Sequence, residues 1–221
     1  MEAITRKKEV DEMKTLTKEI GFIIANNDGG FTLTPTTQEG WEQPNAGQGF
    51  FINRTYFDLA GLSMDDKTLF FEGAAIQEVL APATSPSTVG NGIVVVDVMS
   101  NKQLTDAECA GVLAQGNLVG PGNLTFDQTI YMRHRIFNTD IDNAAGGYMI
   151  PIADNQLGSL SATASDRVYC TRIVSMAGAD GLYQVYGVRY LIKATAKEEP
   201  EYEYLMRLKR SYDLQNEPDR D

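Results

Sequence analysis

Residues 182–194, LYQVYGVRYLIKA, carry the clearest structural pattern in this chain. Tyr190 and Ile192 fall on one face of an extended strand, whereas Arg189 and Lys193 fall on the other. Successive side chains of a β-strand point to opposite faces, so this alternation is typical of a strand with one buried and one solvated face. The stretch therefore predicts a half-buried antiparallel sheet.

Other segments also have the composition of strands. Ile93–Met99 is rich in β-branched residues on both faces, which predicts a strand covered on both sides. Asp28-Gly29 between two apolar runs predicts a tight hairpin. A Gly-rich loop between the strands predicted at Arg167–Met176 and Leu182–Ala194 favours a second hairpin. Further strands are predicted at Phe50–Phe57, Thr68–Phe71 and Thr125–Phe137.

One internal helix is well marked. Thr105 and Glu108 match a capping box, in which the hydroxyl and the carboxylate each accept a backbone N–H at the helix start. The helix should run to about Gln115 and stop at Gly116. No alternation of strands with helices predicts parallel units, so we expect a mainly β chain. The predicted fold is an antiparallel β-sandwich of jelly-roll type, with one short internal helix and helical terminal arms.

The pattern divides the chain into an N-terminal helical arm at 1–20, a β-sandwich body at 21–197 and an acidic C-terminal arm at 198–221. Each arm carries a thin apolar stripe at helical spacing. We expect residues 21–197 to fold without the arms, and the two stripes to make contacts between subunits. The expected contact residues are Ile4, Val10, Met13, Leu16, Ile20, Leu205, Leu208 and Tyr212.

Composition excludes several classes of protein. The net charge is −11, which opposes direct binding of nucleic acid because phosphate neutralisation needs clustered Lys and Arg. Two cysteines rule out a disulfide-rich scaffold, and one histidine rules out a multi-histidine metal site. No apolar run is long enough to span a membrane as a helix, and the first residues have no signal-peptide pattern. We therefore expect no cofactor, no membrane partner and no secretion by a signal peptide.

Four single residues invite a functional interpretation, and for each we favour a structural one. His134 is interpreted as a neutral core histidine among apolar neighbours on its strand, because no nucleophile motif accompanies it. Cys109 and Cys170 are interpreted as small, buried, reduced side chains. Trp41 could stack on a sugar, but a single loop tryptophan more often packs over the edge of a core.

Two acidic patterns resemble sites. Asn138, Asp140 and Asp142 alternate like the start of a calcium loop, but the positions for its Gly and bidentate Glu hold Asn143 and Met149. We favour a plain turn over a Ca²⁺ site there. A hydrolase would need two carboxylates facing each other across a cleft. The available carboxylates include Asp65, Asp66, Glu72, Glu78, Asp97, Asp140 and Asp142.

These features together favour a non-enzymatic viral structural protein, which assembles with copies of itself and with other virion proteins. Its role would be that of a capsid-type subunit, or of an accessory cement or head-to-tail joining subunit, assembled in the host cytoplasm. The alternative is a carbohydrate- or receptor-binding β-sandwich module, and a carboxylate-dependent hydrolase ranks third. Large assemblies would favour the first class, and an exposed aromatic groove would favour the second.

Overall fold

A computed structural model describes residues 13–27, 31–33, 39–44, 49–60, 67–79, 93–115, 129–138, 148–156, 162–163, 167–175, 181–185, 187–198 and 200–215. These residues form thirteen strands and two helices. The strands are β1 (Met13–Ile20), β2 (Ile23–Asn27), β3 (Phe31–Leu33), β4 (Trp41–Glu42), β5 (Phe50–Asp58), β6 (Lys67–Val79), β7 (Ile93–Ser100), β8 (Thr129–Asn138), β9 (Tyr148–Gln156), β10 (Ala162–Thr163), β11 (Arg167–Ser175), β12 (Gly181–Val185) and β13 (Gly187–Glu198). The helices are α1 (Asp106–Gln115) and α2 (Glu201–Gln215). The chain is thus mainly β, as the sequence predicted.

The strands form three antiparallel sheets. The four-stranded sheet has the order β1-β13-β6-β10, and the six-stranded sheet has the order β4-β5-β11-β7-β8-β9. A three-stranded sheet of order β12-β2-β3 completes the described strands. Every described pairing is antiparallel.

Eight strands pair in a nested order. Counted along the chain as β1, β5, β6, β7, β8, β10, β11 and β13, the first pairs with the last and the second with the seventh. The third strand of this set pairs with the sixth, and the fourth with the fifth. Along the chain, the two strands of each pair therefore flank the two strands of the next pair, as in a long hairpin that has been rolled up.

A long two-stranded ribbon links the four-stranded and three-stranded sheets. β1 pairs with β13 and β2 pairs with β12 in one unbroken register, since Ile20 lies opposite Val188 and Ile23 lies opposite Val185. Gly187 sits at the junction, where a β-carbon would lie 2.7 Å from the carbonyl oxygen of Ile20. Glycine is needed at this position because a larger residue would push the two strands apart.

The six-stranded sheet is covered on both faces. On one face, a cluster that includes Phe51 and Val174 also contains Val188 and Ile192 of the four-stranded sheet. On the other face, Val96 and other strand residues pack against the α1 side chains Cys109 and Val112. The prediction that Ile93–Met99 is covered on both sides is confirmed, because Val95 and Met99 belong to the first cluster and Val96 and Val98 to the second.

Several local predictions are confirmed. α1 begins with the predicted capping box: the Thr105 N–H donates to Glu108 Oε2 at 2.8 Å, and the Glu108 N–H donates to Thr105 Oγ1 at 3.2 Å. The C-terminal helix forms as α2. β2 and β3 pair as the first predicted hairpin requires, although its turn at 28–30 lies outside the described residues.

Two local predictions are wrong. The N-terminal helix is replaced over Met13–Ile20 by β1, because β13 offers this segment a full ladder of backbone hydrogen bonds; residues 1–12 lie outside the described residues. The second predicted hairpin does not form, because β11 pairs with β5 and β7, whereas β12 and β13 pair with strands of the other two sheets. A Gly-rich connection permits a hairpin but does not decide which strands pair.

Candidate functional site

The C-terminal helix α2 exposes five large apolar side chains. The exposed fractions are 73% for Tyr202, 52% for Leu205, 52% for Met206, 41% for Leu208 and 67% for Tyr212. Leu205, Leu208 and Tyr212 are the predicted stripe of the C-terminal arm. We call the five together the α2 apolar face. Single exposed apolar residues are ordinary on a protein surface, but five on one helix form a contiguous patch.

The opposite side of α2 lies near the body. Tyr204 and Arg207 are half-buried, and the Arg207 guanidinium lies 5.6 Å from the centre of the Phe70 ring. Lys197, on β13, approaches the same ring at 5.5 Å. The first turn follows Pro200, whose carbonyl accepts the Tyr204 N–H at 3.1 Å. The Arg207 contact with the Phe70 ring therefore helps to hold the helix to the body, while the α2 apolar face stays largely exposed.

Charge is distributed unevenly along α2. Glu201 and Glu203 occupy the first turn, where carboxylates complement the helix dipole. Lys209 is exposed two turns later, and Asp213 follows it. The helix therefore has an acidic first turn and a cationic side chain near its middle.

A second distinctive feature is a buried charge network between the four-stranded and six-stranded sheets. Asp97 of β7 is fully buried and accepts a hydrogen bond at 2.9 Å from Arg133 Nη2 through its Oδ2. Its Oδ1 accepts one at 3.1 Å from the Tyr190 hydroxyl of β13, and lies 3.5 Å from Arg172 Nε. Arg133 also donates from Nη1 to the carbonyl oxygen of Ile76 at 2.7 Å. The network therefore joins the two sheets with directional bonds.

The network belongs to a polar row across the six-stranded sheet. By register, Asn53 lies opposite Arg172, Arg172 opposite Asp97, and Asp97 opposite Arg133. Asp154 of β9 is the next register partner of Arg133, and its side chain lies outside what the structure describes. Burying charges is costly unless they are paired and hydrogen-bonded, so this row fixes how the sheets align.

The sequence reasoning missed this network, although a signal was present. Asp97 is the one charged residue in the apolar strand Ile93–Met99, and a carboxylate there needs a buried partner. Arg133 and Arg172 lie in predicted strands, where Met132 and Ile173 are their apolar neighbours. Burial raises the pKa of the Tyr190 hydroxyl well above its ordinary value, and the nearby charge of Asp97 raises it further. The tyrosine therefore stays a neutral hydrogen-bond donor. The network is inaccessible to solvent, and its role is to stabilise the fold.

Arg54 fastens the internal helix to the six-stranded sheet. Its guanidinium donates to the carbonyl oxygen of Leu104 at 3.1 Å and to Glu42 Oε2 at 2.6 Å, and it pairs with Asp106. Asp106 is the first residue of α1. This arrangement holds the start of the helix over the sheet, so that Cys109 and Val112 reach the apolar cluster below.

Both cysteines are free and buried, which confirms the structural interpretation. Burial raises the pKa of the Cys109 thiol to about 12, and the nearby Arg54 guanidinium lowers it only in part. Burial and the charge of Asp97 raise the pKa of Cys170 well above its ordinary value, with a smaller opposing effect of Lys18. Neither thiol is therefore an activated nucleophile, since nucleophilic attack needs the thiolate.

Trp41 is part of the core, as the structural interpretation predicted. Its side chain is only 7% exposed and belongs to the cluster between the two larger sheets. Its indole N–H donates to the carbonyl oxygen of Gly21 at 3.3 Å. A sugar has no access to the face of a ring packed in this way, so stacking on Trp41 is not supported.

Most of the other sequence candidates lie outside what the structure describes. His134 is on β8 opposite Val96, but its side chain is not described. Asn138 ends β8, whereas Asp140 and Asp142 fall outside the described residues. Among the carboxylates considered for hydrolysis, Asp97 alone has a described side chain. Within the described part of the chain, no group of three or more His, Cys, Asp or Glu side chains is placed to hold a metal ion.

The predicted contact residues of the N-terminal arm fall into three groups. Ile4 and Val10 lie outside the described residues, and the side chain of Met13 is not described. Ile20 is buried in the core of its own subunit, and the half-buried Leu16 packs against that core. Those two side chains therefore stabilise the subunit itself. The structure brings together only the C-terminal part of the expected contact set.

None of the described helices is long and apolar enough to cross a membrane. Comparisons of the chain with protein-family models, with curated proteins and with solved structures found no match.

Proposed function

We propose that this protein is a self-assembling structural subunit of a virus particle, either a capsid-type subunit or an accessory cement or head-to-tail joining subunit, without catalytic activity. The α2 apolar face carries the proposal. Five large apolar side chains exposed on one helix cost free energy in water, and contact with another protein surface removes that cost. A helix at the periphery of the body is well placed to make such a contact.

The strand pairing supports the proposed architecture, a β-sandwich of jelly-roll type. In a jelly roll, a long antiparallel hairpin is rolled into two facing sheets. The nested pairs β1/β13, β5/β11, β6/β10 and β7/β8 follow that scheme. The shared apolar cluster between the four-stranded and six-stranded sheets is the expected core of such a sandwich. Rigid bodies of this kind with peripheral elements suit repeated lateral contacts, although a fold alone does not define a function.

The acidic net charge of −11 supports a role in the shell over a role in packaging nucleic acid. We propose copies of the same chain and other virion proteins as the partners. The site of assembly would be the host cytoplasm.

The mass of the purified full-length chain tests this proposal. We expect light scattering and native mass spectrometry to show a discrete assembly of many copies, with electron microscopy showing particles of uniform size. A full-length variant with Leu205→Asp and Met206→Asp should remain folded and lose the assembly. A chain that stays monomeric at all concentrations, pH values and salt concentrations would contradict the proposal.

A second candidate function is binding of a carbohydrate or a receptor. One observation favours it: the Tyr56 ring is 40% exposed, and its centre lies 6.2 Å from that of Tyr169. Arg167 lies 4.6 Å from the centre of the Tyr56 ring. An aromatic patch beside a cation can bind a sugar or a protein loop. Glycan-array binding that is lost in Tyr56→Ala, from a monomeric protein, would favour this candidate.

A further inference from the structure

We infer that Asp154 of β9 is the second carboxylate of the buried charge network, where it pairs with Arg133, and that this pair closes the β9 edge of the six-stranded sheet to strand addition by another copy. This edge is a different surface from the α2 apolar face, and its closure does not depend on assembly through α2. Two observations support the pair: the charge balance of the network and the register of β9.

The described part of the network carries a net positive charge. The exposed fractions of the side chains are 2% for Arg133, 0% for Arg172 and 1% for Asp97. Two guanidinium groups therefore share one described carboxylate in the interior. The Tyr190 hydroxyl donates a hydrogen bond to Asp97 but adds no charge. Burial of a charge is costly unless an opposite charge compensates it, so a second carboxylate is expected beside the two arginines.

The register of β9 brings an aspartate to this row. Arg133 lies opposite Asp97 on β7 and opposite Asp154 on β9. Residues directly opposite one another in an antiparallel pair share a face of the sheet, and their β-carbons are about 4.5–5.5 Å apart. A guanidinium carries five N–H donors, enough for Asp97, the carbonyl oxygen of Ile76 and a further carboxylate. Asp154 is therefore placed to bind the guanidinium from the side opposite Asp97.

An irregularity in the β8/β9 ladder aligns Asp154 with the row. The register shifts by one residue between His134 and Arg135, so β9 holds one extra residue at this step. A regular ladder continued from Pro151 would place Asp154 opposite Met132, on the face that α1 covers. Because a shift of one residue moves every side chain of a strand to the other face, the bulge puts the carboxylate on the face of the buried arginines.

The same features protect an edge of the sheet. β9 is the last strand in the described order of the six-stranded sheet, and the backbone groups along such an edge can pair with another chain. Proteins oppose this pairing with proline, with bulges and with charges on the inward face of the edge strand. β9 has all three, at Pro151, at the register shift and at Asp154. Another copy would have to disrupt the charge network to add a strand at β9.

Neutralisation of single carboxylates in the full-length protein tests the pair. Asp154→Asn nearly keeps the shape of the side chain and removes its charge, so the unfolding equilibrium constant from urea denaturation should rise by about tenfold or more. Asp213→Asn, at an exposed position on α2, is the matched control and should change that constant by less than about threefold. In a chain that already carries Arg133→Gln, Asp154→Asn should have a much smaller effect, because its partner charge is gone.

Aggregation through the sheet edge gives a second readout. Under conditions in which both variants are folded by circular dichroism, Asp154→Asn should form aggregates that bind thioflavin T, whereas Asp213→Asn should not. Both measurements are made in a chain that also carries Leu205→Asp and Met206→Asp, which removes the proposed contact through α2. Association seen in this background therefore reports on β9 and leaves the proposed function untouched.

Glu78 is the competing carboxylate, because it lies on β6 opposite the buried Val188. If Glu78→Gln couples to Arg133→Gln and Asp154→Asn does not, or if Asp154→Asn is as stable as Asp213→Asn, the proposed pair is wrong. If Asp154→Asn is destabilised but forms no thioflavin-binding aggregates, the closure of the β9 edge is wrong. A chain that fails to assemble through α2 while Asp154→Asn behaves as expected would overturn the proposed function and support the pair.

Discussion

Met13–Ile20 and Glu201–Gln215 have similar patterns, since both carry apolar residues at spacings of three or four among charged ones, yet they lie in opposite environments. Met13–Ile20 is the strand β1, in which Ile20 is fully part of the core and Leu16 packs against it. Glu201–Gln215 is the helix α2, in which Leu205 remains half exposed. Two segments predicted to be equivalent arms thus have different roles in the subunit.

The difference shows what apolar spacing leaves undecided. Leu16 and Ile20 are four residues apart, which places them on one face of either a helix or a strand. Thr15 and Thr17 favour a strand in this segment, because β-branched residues are common in strands. α2 follows Pro200, which suits the start of a helix, and consists largely of good helix formers. Local composition, together with the spacing, separates the two segments.

The largest effect is expected from removing one segment or the other. A chain spanning residues 21–221 lacks β1, so β13 loses one of its two partners along eight residues and the core loses Ile20 and Leu16. We expect it to be unfolded by circular dichroism. A chain ending at Pro200 lacks only α2 and should keep its sheet spectrum and unfold cooperatively. Equal behaviour of the two chains would show that the contrast between the segments is wrong.

Much of the fold could be predicted from local pattern. The β7 segment, the capping box at Thr105 and the alternation around Tyr190 each depend on neighbouring residues, and each has its predicted form. Strand partners could not be predicted in this way. β11 and β12 are close in sequence and belong to different sheets, because pairing depends on residues far along the chain such as Asp97.

The candidate site was predictable to a lesser degree. Leu205, Leu208 and Tyr212 were identified from spacing, but whether they face the body or the solvent depends on tertiary packing. The row from Asn53 to Arg133 arises only when four strands come into register. A lone Asp97 indicated that some partner exists without indicating which residue it is.

The second-largest effect is expected from removing a buried charge, and removal of an exposed charge is the comparison. Asp97→Ala leaves Arg133 and Arg172 buried without the carboxylate between them, and should destabilise the subunit by about 3–5 kcal/mol. Asp213→Ala removes an exposed carboxylate from α2 and should change stability by less than about 0.5 kcal/mol. Urea denaturation of both variants measures the contrast. Similar losses in the two would place Asp97 in a solvated site.

An alkaline effect on stability should arise in the core, where burial raises the pKa values of Cys109, Cys170 and Tyr190. The folded-state pKa of Cys109 is raised from about 9 to about 12. The contribution of the neutral thiol to the unfolding free energy is therefore complete below pH 9 and is lost as the pH rises towards 12. One such thiol lowers the unfolding free energy by about 1.4 kcal/mol per pH unit over that window. The raised pKa values of Cys170 and Tyr190 also lower the unfolding free energy as the pH rises.

Denaturation curves from pH 8 to 11 measure this slope. Cys109→Ala lacks the titrating thiol, so its unfolding free energy should fall less steeply with pH than that of the natural chain. If the two slopes coincide, Cys109 titrates alike in the folded and unfolded chains, and α1 does not bury it.

A smaller effect is expected at the ribbon junction beside β1. Gly187→Ala places a β-carbon 2.7 Å from the carbonyl oxygen of Ile20, which forces the two strands apart and should cost about 1–3 kcal/mol. Gly21→Ala is the matched control, because a β-carbon there meets no atom within 4 Å. Thermal unfolding of both variants is the measurement. A neutral Gly187→Ala would show that β1 can shift away from β13 at little cost.

The smallest expected effect, that of Leu205→Ala, is best measured beside a buried truncation in the other segment. Ile20→Ala removes a buried side chain and should cost about 2–5 kcal/mol. Leu205→Ala removes an exposed one, and at low protein concentration it should change the unfolding free energy by less than about 0.5 kcal/mol. At high concentration, association stabilises the folded chain, so Leu205→Ala should then lower the melting temperature relative to the natural chain, whereas the Ile20→Ala loss should not depend on concentration. A large loss in Leu205→Ala at every concentration would mean that α2 packs within its own subunit, and the difference between the two segments would disappear.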